Sequence, residues 1–275
     1  VAKHKQPDFN GVANSGTAQI SNLQQGDVCR ALVLKLGGTT FDYSHIENIK
    51  VKLGSKTIVD LSGTQLKLIN AYMGRTYNAA YLPIHFADPN SRTIDGENWG
   101  AIDTSIPYGS FSIQVKITGA TAPTLECWMD KADANPDVPD REVFRAYVSG
   151  FQSIPAAGRP TLAVPVGSII GNLITRAHFF HAEISKLDVK RDGYNLIEEG
   201  EVALLQFEQA ELNRVIQAGH LCFDPLISND QSMSISTTMT KGGVKMPAPL
   251  EFRAVLDDAD TVNMITELYT TVERI

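Results

Sequence analysis

The chain has 275 residues, 43% of them hydrophobic and 20% charged, with a net charge of -7. This length suits two domains of ordinary size, each able to bury its own core, and the composition is that of a folded protein rather than a disordered one. The acidic balance argues against broad binding to nucleic acid or to an anionic membrane, since both need a dense basic surface. No apolar run approaches the roughly 20 residues that span a bilayer.

Residues 1–26 are polar, lack periodicity and read as an extended N-terminal arm, with Lys3, His4 and Lys5 as a local basic cluster. Within the arm, Gly11 to Gly16 (GVANSG) lacks the Lys of a phosphate loop and follows no strand, so it reads as flexible chain. No signal peptide is recognised, and Val1 in place of Met reads as loss of at least an initiator residue. Further on, Ile49, Val51 and Leu53 alternate with Lys50 and Lys52, and Gly54-Ser55 turns the chain into Thr57-Ile58-Val59, which predicts a hairpin. A helix follows, capped by Ser62 or Thr64, with Leu66, Ile69 and Tyr72 on one face and Gly74 as its stop. Phe111, Ile113, Val115 and Ile117 alternate with polar residues and predict a strand, and Val143 to Ile154 is read as another. Pro155 to Pro160 (PAAGRP) suits a short, stiff linker over 155–160. In the second half, Asp192-Gly193 marks a hairpin turn. Leu205, Leu212 and Ile216 share a helix face with Gly219 as the stop, and strands are expected around Met233 to Met239 and over Val262 to Ile275. Many short strands between Gly, Pro, Asn and Asp turns point to an all-β sandwich or barrel.

Four segments recur in the same order. NIKVKLGSKTIVD from Asn48 is answered by SKLDVKRDGYNLIEE from Ser185, and YLPIHFADPN from Tyr81 by GHLCFDPLISND from Gly219. GSFSIQVKI from Gly109 is answered by QSMSISTTM from Gln231, and PTLECWMDKAD from Pro123 by APLEFRAVLDDAD from Ala248. This order argues for an internal duplication, with copies over 27–154 and 161–275 that are expected to superpose as eight-stranded sandwiches. Val51 to Val189 is 138 residues, Phe86 to Phe223 is 137, Ile113 to Ile235 is 122 and Leu125 to Leu250 is 125. The drop from 137 to 122 predicts a longer loop in the first copy, between Asp88 and Ser110.

The run Tyr43-Ser44-His45-Ile46-Glu47-Asn48-Ile49-Lys50-Val51-Lys52-Leu53-Gly54 and the helix over Thr64 to Met73, set in this duplicated frame, resemble a known family. It is that of the double jelly-roll major capsid proteins of tailless icosahedral viruses, and in particular of corticovirus-like bacteriophages with an internal membrane. The resemblance covers about Asp27 to Ile275. It implies two tandem eight-stranded jelly rolls with short helices in loops, side by side and roughly perpendicular to a shell. It also implies a pseudo-hexagonal homotrimer that tiles an icosahedral capsid, without enzymatic activity or cofactor. Implied partners are neighbouring capsomers, penton and minor capsid or membrane proteins, and the internal lipid membrane through the arm, with no sequence-specific nucleic acid. The place of action would be the virion, assembled in the host cytoplasm. The loop from Asp88 to Ser110 would project outward or between subunits, while the modest insertions make large surface towers unexpected.

Several residues are suited to chemistry by type. His178-Phe179-Phe180-His181 with Glu183 offers metal-ligand types, but HxxH on a strand sends the rings to opposite faces, so one buried and one exposed histidine is expected. His85 and His220 stand near corresponding positions and suggest a shared packing role. Asp130, Asp133, Asp257, Asp258 and Asp260 read as solvated turn acids, and a structural calcium shared between subunits, with ligands unassigned, stays open. Glu198, Glu199 and Glu201 read as a charge run at a helix start. Trp128 is expected in a core, and Trp99 in the long loop suits an interface or a ligand equally. Cys29, Cys127 and Cys222 show no CxxC spacing and read as buried reduced thiols. No GxSxG elbow is present. The alternative functions are a carbohydrate-binding or hydrolytic β-sandwich using the Trp99 loop, and a cupin-like metalloenzyme.

Overall fold

The structure, a computed structural model, describes residues 2–76, 78–88, 98–132 and 142–275. In the first half lie β1 (Ala2–Lys5), β2 (Gly16–Ile20), β3 (Val28–Gly37), β4 (Ile46–Leu53), β5 (Lys56–Leu61) and helix α1 (Gly63–Tyr72). They are followed by β6 (Tyr81–His85), β7 (Ile102–Asp103), β8 (Phe111–Ile117), β9 (Thr124–Ala132) and β10 (Phe144–Ile154). The second half opens with β11 (Thr161–Leu162), β12 (Leu173–Phe180), β13 (Ile184–Arg191), β14 (Tyr194–Glu201) and helix α2 (Val202–Glu211). It ends with β15 (His220–Phe223), β16 (Ile235–Ser236), β17 (Thr238–Lys241), β18 (Val244–Pro247), β19 (Leu250–Leu256) and β20 (Asp260–Thr270).

Alternation sets the sandwiches. In β4 the odd-side residues Ile49, Val51 and Leu53 are buried, and in β8 Phe111, Ile113, Val115 and Ile117 are buried while Lys116 faces out. These faces meet Leu32, Leu34 and Leu36 of β3 and Cys127 and Met129 of β9 in the first core. The second core joins Phe179 of β12 and Met264 of β20 to Leu187 and Val189 of β13 and Phe252 and Ala254 of β19. Ser62 caps α1 as expected, accepting from the Gln65 amide while Gln65 reaches back to the Ser62 amide, a reciprocal capping box.

The two jelly rolls share a sheet. One sheet runs β15-β12-β20-β10-β5-β4-β8-β2, with β1-β9-β3-β6 facing one half of it and β11-β19-β13-β14 facing the other. The weld is the antiparallel ladder between β10 and β20, from Phe144 opposite Thr270 to Ile154 opposite Asp260. Two independently closed sandwiches would have used the strand from 143 to 154 to complete the first copy. Here β10 instead lies between the copies, and it meets β5 only through a parallel bridge of Tyr147 to Val59.

Strand pairing also corrects the register of the repeat. Val51 of β4 faces Ile113 of β8, and Val189 of β13 faces Phe252 of β19, so the copies stay 138 to 139 residues apart through this point. The structural partner of β8 is therefore β19, not the segment from Gln231, and β9 corresponds to β20, since both flank the equivalent strands β3 and β12. The first-copy loop is not the longer one, because the stretch between β15 and β19 holds the β17–β18 hairpin. Within the Asp88 to Ser110 stretch, residues 89–97 lie outside the described residues. The rest is built in rather than projecting: β7 pairs β3, and Ile102 is buried.

Two further expectations change. Residues 1–26 are not a free arm. β1 pairs β9 from Ala2 opposite Lys131 to Lys5 opposite Trp128, β2 pairs β8, and Phe9, Ala18, Ile20 and Leu23 enter the first core. Gly11, at φ +80°, lets the turn close beneath the bridge between Asn10 and Gln19, where a Cβ would meet the Thr17 carbonyl oxygen at 2.9 Å. Helix α2 ends before Gly219, because Asn213 takes a left-handed conformation at φ +65° and stops it there.

Since Ile20 is 2% exposed in a packed core, Ile20→Ala is expected to cost about 2–5 kcal/mol in urea unfolding. Deleting residues 1–20 is expected to lower the melting temperature by more than that single change.

Candidate functional site

Charged residues stand inside otherwise apolar strands where the two jelly rolls meet. β10 carries Arg145, β12 carries Arg176 and β20 carries Glu267, and all three are buried. Asp88 follows β6, Arg214 follows α2 and Asp224 follows β15, and these too are buried. Among the described residues, the guanidinium groups of Arg145, Arg176 and Arg214 thus face three carboxylates in a buried junction, with Arg75 close to the same charges. Arg145 Nη2 and Arg176 Nη2 lie 3.8 and 3.9 Å from Asp88 Oδ2. Arg145 Nε and Arg176 Nη1 lie 3.7 and 3.3 Å from Glu267 Oε2. Arg176 Nε stands 3.0 Å from Asp224 Oδ1, close enough for charge pairing though not aligned as a hydrogen bond, while Arg214 Nε donates to Asp224 Oδ2 at 2.8 Å.

Neutral groups extend the network across both halves. The Tyr72 hydroxyl at the end of α1 donates to Asp224 Oδ2 at 3.3 Å, 152 residues away in the chain. Arg145 Nη2 donates to the Tyr269 hydroxyl at 2.9 Å, and Trp99 packs edge-on against the Tyr269 ring with centroids 6.1 Å apart. His178 Nε2 lies 3.0 Å from Glu267 Oε1, and its Nδ1 lies 2.9 Å from Nε2 of His220, which stacks on it.

The electrostatics follow from burial and pairing. Burial pushes the Glu267 carboxyl up, but Arg176, the hydrogen bond from His178 and Arg145 outweigh it and hold it below the usual carboxylate range. Burial works against the charge of Arg176, and Asp224, Glu267 and Asp88 more than restore it. Burial, with His178 adding to it, keeps His220 neutral far below the usual histidine value. His85 is lowered by burial and then by Arg75.

His178 and His181 are both buried, so neither is the exposed member of a pair. His181 lies beyond the end of β12, where the strand alternation no longer holds, and accepts from the Glu183 amide at 3.0 Å. His85 and His220 are not equivalent: His85 ends β6 opposite Ala31, whereas His220 begins β15 opposite Phe180. Glu198 and Glu199 belong to strand β14 rather than a helix start, and Glu201 stands at the α2 N-cap without a side-chain capping bond. Trp128 is half-buried on the outer face of β9, since Leu125, Cys127 and Met129 take the core side. Asp130 lies on β9 opposite Lys3, and Asp257, Asp258 and Asp260 sit at the turn between β19 and β20, bonded to Ser185 or to the next amide. Asp133 lies outside the described residues. Among the described residues no group of three or more His, Cys, Asp or Glu is arranged to hold a metal ion. The three cysteines are buried and unpaired, and burial pushes the Cys127 thiol up to about 12.

The junction itself escaped the sequence reading. Its signal was a single charge within an apolar strand run, as in LITRAHFF and MITELYT.

A duplicated jelly roll welded through a shared sheet and a closed set of buried charges describes a structural building block. Family models for the viral coat protein P2 N-terminal domain and C-terminal domain match residues 3–132 and 147–272. The chain belongs to the viral coat protein P2 family and is a viral major capsid protein. Among solved structures it is similar to the major capsid protein P2 of bacteriophage PM2, at 16% identity with 98% of this chain and 97% of that one covered and a TM-score of 0.84. The major capsid protein of Sulfolobus turreted icosahedral virus matches at 12% identity, 98% and 96% coverage and a TM-score of 0.68. The PBCV-1 virus capsid matches at 10% identity, 98% and 92% coverage and a TM-score of 0.63. These likenesses establish the double jelly-roll fold. No curated protein sequence matches the chain.

Removing one charge leaves its partners buried and unmatched, which costs about 3–5 kcal/mol, and Glu267→Gln is expected to show that loss in denaturant unfolding. Acid should act in two stages. An unfolded histidine takes up a proton near pH 6.5 while His220 and His85 stay neutral in the fold, so stability falls as pH drops below about 6.5. The Glu267 contribution is complete above the ordinary glutamate value of about 4.3 and is lost as pH falls toward its depressed folded value. Melting temperature measured against pH should follow this course, and His220→Gln should remove part of the decline between pH 7 and 5.

Proposed function

We propose that three copies of this chain associate into a pseudo-hexagonal homotrimer and that these trimers tile an icosahedral shell. The observation that carries this reading is the weld between the two jelly rolls. The β10–β20 ladder and the buried charges fix two near-equivalent β units side by side in one chain, so three chains present six such units around a ring. Closed rotational symmetry is the usual outcome when identical chains associate through repeated contacts. Further neighbours in this reading are adjoining capsomers, penton subunits and the minor or membrane proteins of the virion. Assembly would take place in the host cytoplasm, a setting that suits three buried thiols. A membrane contact through a free N-terminal arm is not part of this reading, because β1 and β2 are strands of the first roll.

Size-exclusion chromatography with light scattering tests the trimer. The expected result is a species three times the 30.0 kDa of one chain. A stable single-chain mass across the micromolar range would overturn it.

A further inference from the structure

The two jelly rolls repeat several hydrogen bonds at the C-terminal ends of their helices. Asn70 Nδ2 donates to the Pro83 carbonyl at 2.8 Å, and Gln209 Nε2 donates to the Cys222 carbonyl at 2.7 Å. The Arg75 amide bonds the Asn70 carbonyl as the Arg214 amide bonds that of Gln209, and Gly74 and Asn213 both take positive φ at the helix end. α2 therefore stands on the second roll as α1 stands on the first.

Their surroundings differ. The end of α1 is covered by the second roll: Tyr72 and Met73 pack with Cys222, Tyr72 meets the rings of His178 and His220 edge-on, and its carbonyl accepts from the Val215 amide. Among the described residues nothing covers the corresponding side of α2: Leu212, the counterpart of Met73, is 44% exposed, and Leu204 and Phe207 earlier on the helix are 54% and 58% exposed. The strand beside each helix shows the same contrast. β5 meets β10, the strand that leads into the second roll, whereas its counterpart β14 is a sheet edge on which Tyr194 is 76% exposed.

The complementary surface lies on the first roll. β1 leads into that roll and borders β9 as β10 borders β20, and among the described residues no strand pairs its outer side. Tyr81, Pro83 and Val33 hold the places that His220, Cys222 and His178 hold in the second roll, and Tyr81 is 47% exposed. The two edges carry opposite charge. β1 reads AKHK, with Lys3 and His4 beside a Lys5 that pairs Asp8 and Glu126, and β14 reads YNLIEEGE, with Glu198 and Glu201 flanking a Glu199 that pairs Arg159 and Lys186.

We propose that a second copy of this chain occupies these surfaces. α2 and the acidic edge β14 of one copy dock on the basic edge β1 and the Tyr81 face of the next. This contact repeats between chains the one that α1 and β5 make with β15 and β10 within the chain. It rests on the trimer reading above and assigns the surfaces that would build it. The two halves of the contact are different patches, so it is heterologous and its repetition closes a ring rather than a two-fold dimer. It also covers two strand edges that no described strand pairs, edges that otherwise template unwanted pairing, by adding one edge to another.

The test uses the full chain in light scattering, with circular dichroism and melting curves to confirm folding. Phe207→Asp and Tyr81→Asp are each expected to reduce the mass threefold, to the 30.0 kDa of one chain. Mixed in equal amounts, these two variants retain one sound pair of surfaces and should form a one-to-one dimer. Lys3→Glu alone, and Glu198→Lys with Glu201→Lys, should each weaken the trimer at least tenfold, and all three changes in one chain should restore it. Should Phe207→Asp fail to fold, the charge exchange carries the test. Trimers of unchanged stability in Phe207→Asp, or in both charge variants, would overturn the assignment while leaving the trimer standing. A wild type that is already a single chain would instead overturn the trimer reading itself.

Discussion

Because Arg145, Arg176 and Glu267 are buried to within a percent or so of complete exclusion from water, the two jelly rolls cannot part or slide without exposing or stranding a charge. Each carboxylate at the junction is shared: Asp88 lies near both Arg145 and Arg176, Glu267 near the same two arginines, and Asp224 near Arg176 and Arg214. The worth of such a cluster is geometric more than energetic. Buried ion pairs are often no better for stability than an apolar core of equal volume, yet breaking one is costly. A shell subunit has to hold two β units at one fixed angle, and this cluster penalises every other angle.

The ladder between β10 and β20 does the complementary task. It is the longest strand pair at the junction, and one edge of β20 holds β12 while the other holds β10. Backbone hydrogen bonds fix the rolls in register along the strands, and the charges fix them across the strands. Tyr72 ties α1 to the same cluster through Asp224, so a helix of the first roll, a strand between the rolls and the core of the second respond as one body.

Much of this fold was legible from local chemistry. The hairpin at Gly54, the Ser62 cap and the alternation of β4 and β8 are signals a few residues long, and each gives the element it predicts. The duplication was legible too, but its register was lost before Phe86, because Ile84 and not Phe86 is the counterpart of Phe223. Alternating strands resemble one another, and the stretch at Gln231 to Met239 imitates β8 well enough to hide the true counterpart β19. Only the identity of the partner strand separates them. β1 was missed for a related reason: as an edge strand lying on the outer side it has no buried position in AKHK, so it carries no apolar period. The charge cluster draws on residues 88, 145, 176, 214, 224 and 267, and no linear motif spans such distances. What the sequence did hold was each charge stranded in an apolar run, an arrangement that only pays if a partner waits across the fold.

The two copies have diverged in a way that follows from where each must make contact. In the first copy a long connection from β3 to β4 folds a short turn, Tyr43–His45, against α1, with Lys67 over the Tyr43 ring. In the second, only residues 181–183 separate β12 from β13, and α2 packs Val202 and Leu205 on the core while leaving Leu204, Phe207 and Leu212 exposed. A junction formed within one chain can bury arginines and carboxylates, since folding brings them together once and at high effective concentration. A junction formed between chains starts from surfaces that must first remain soluble, so its charges belong at exposed edges and its apolar groups in small patches. The acidic strand β14, the basic strand β1 and the partly exposed side chains of α2 have that character, whereas the dry cluster at β10, β12 and β20 has the other. Duplication supplied two alike units, and the difference between folding and association explains why they no longer present the same face.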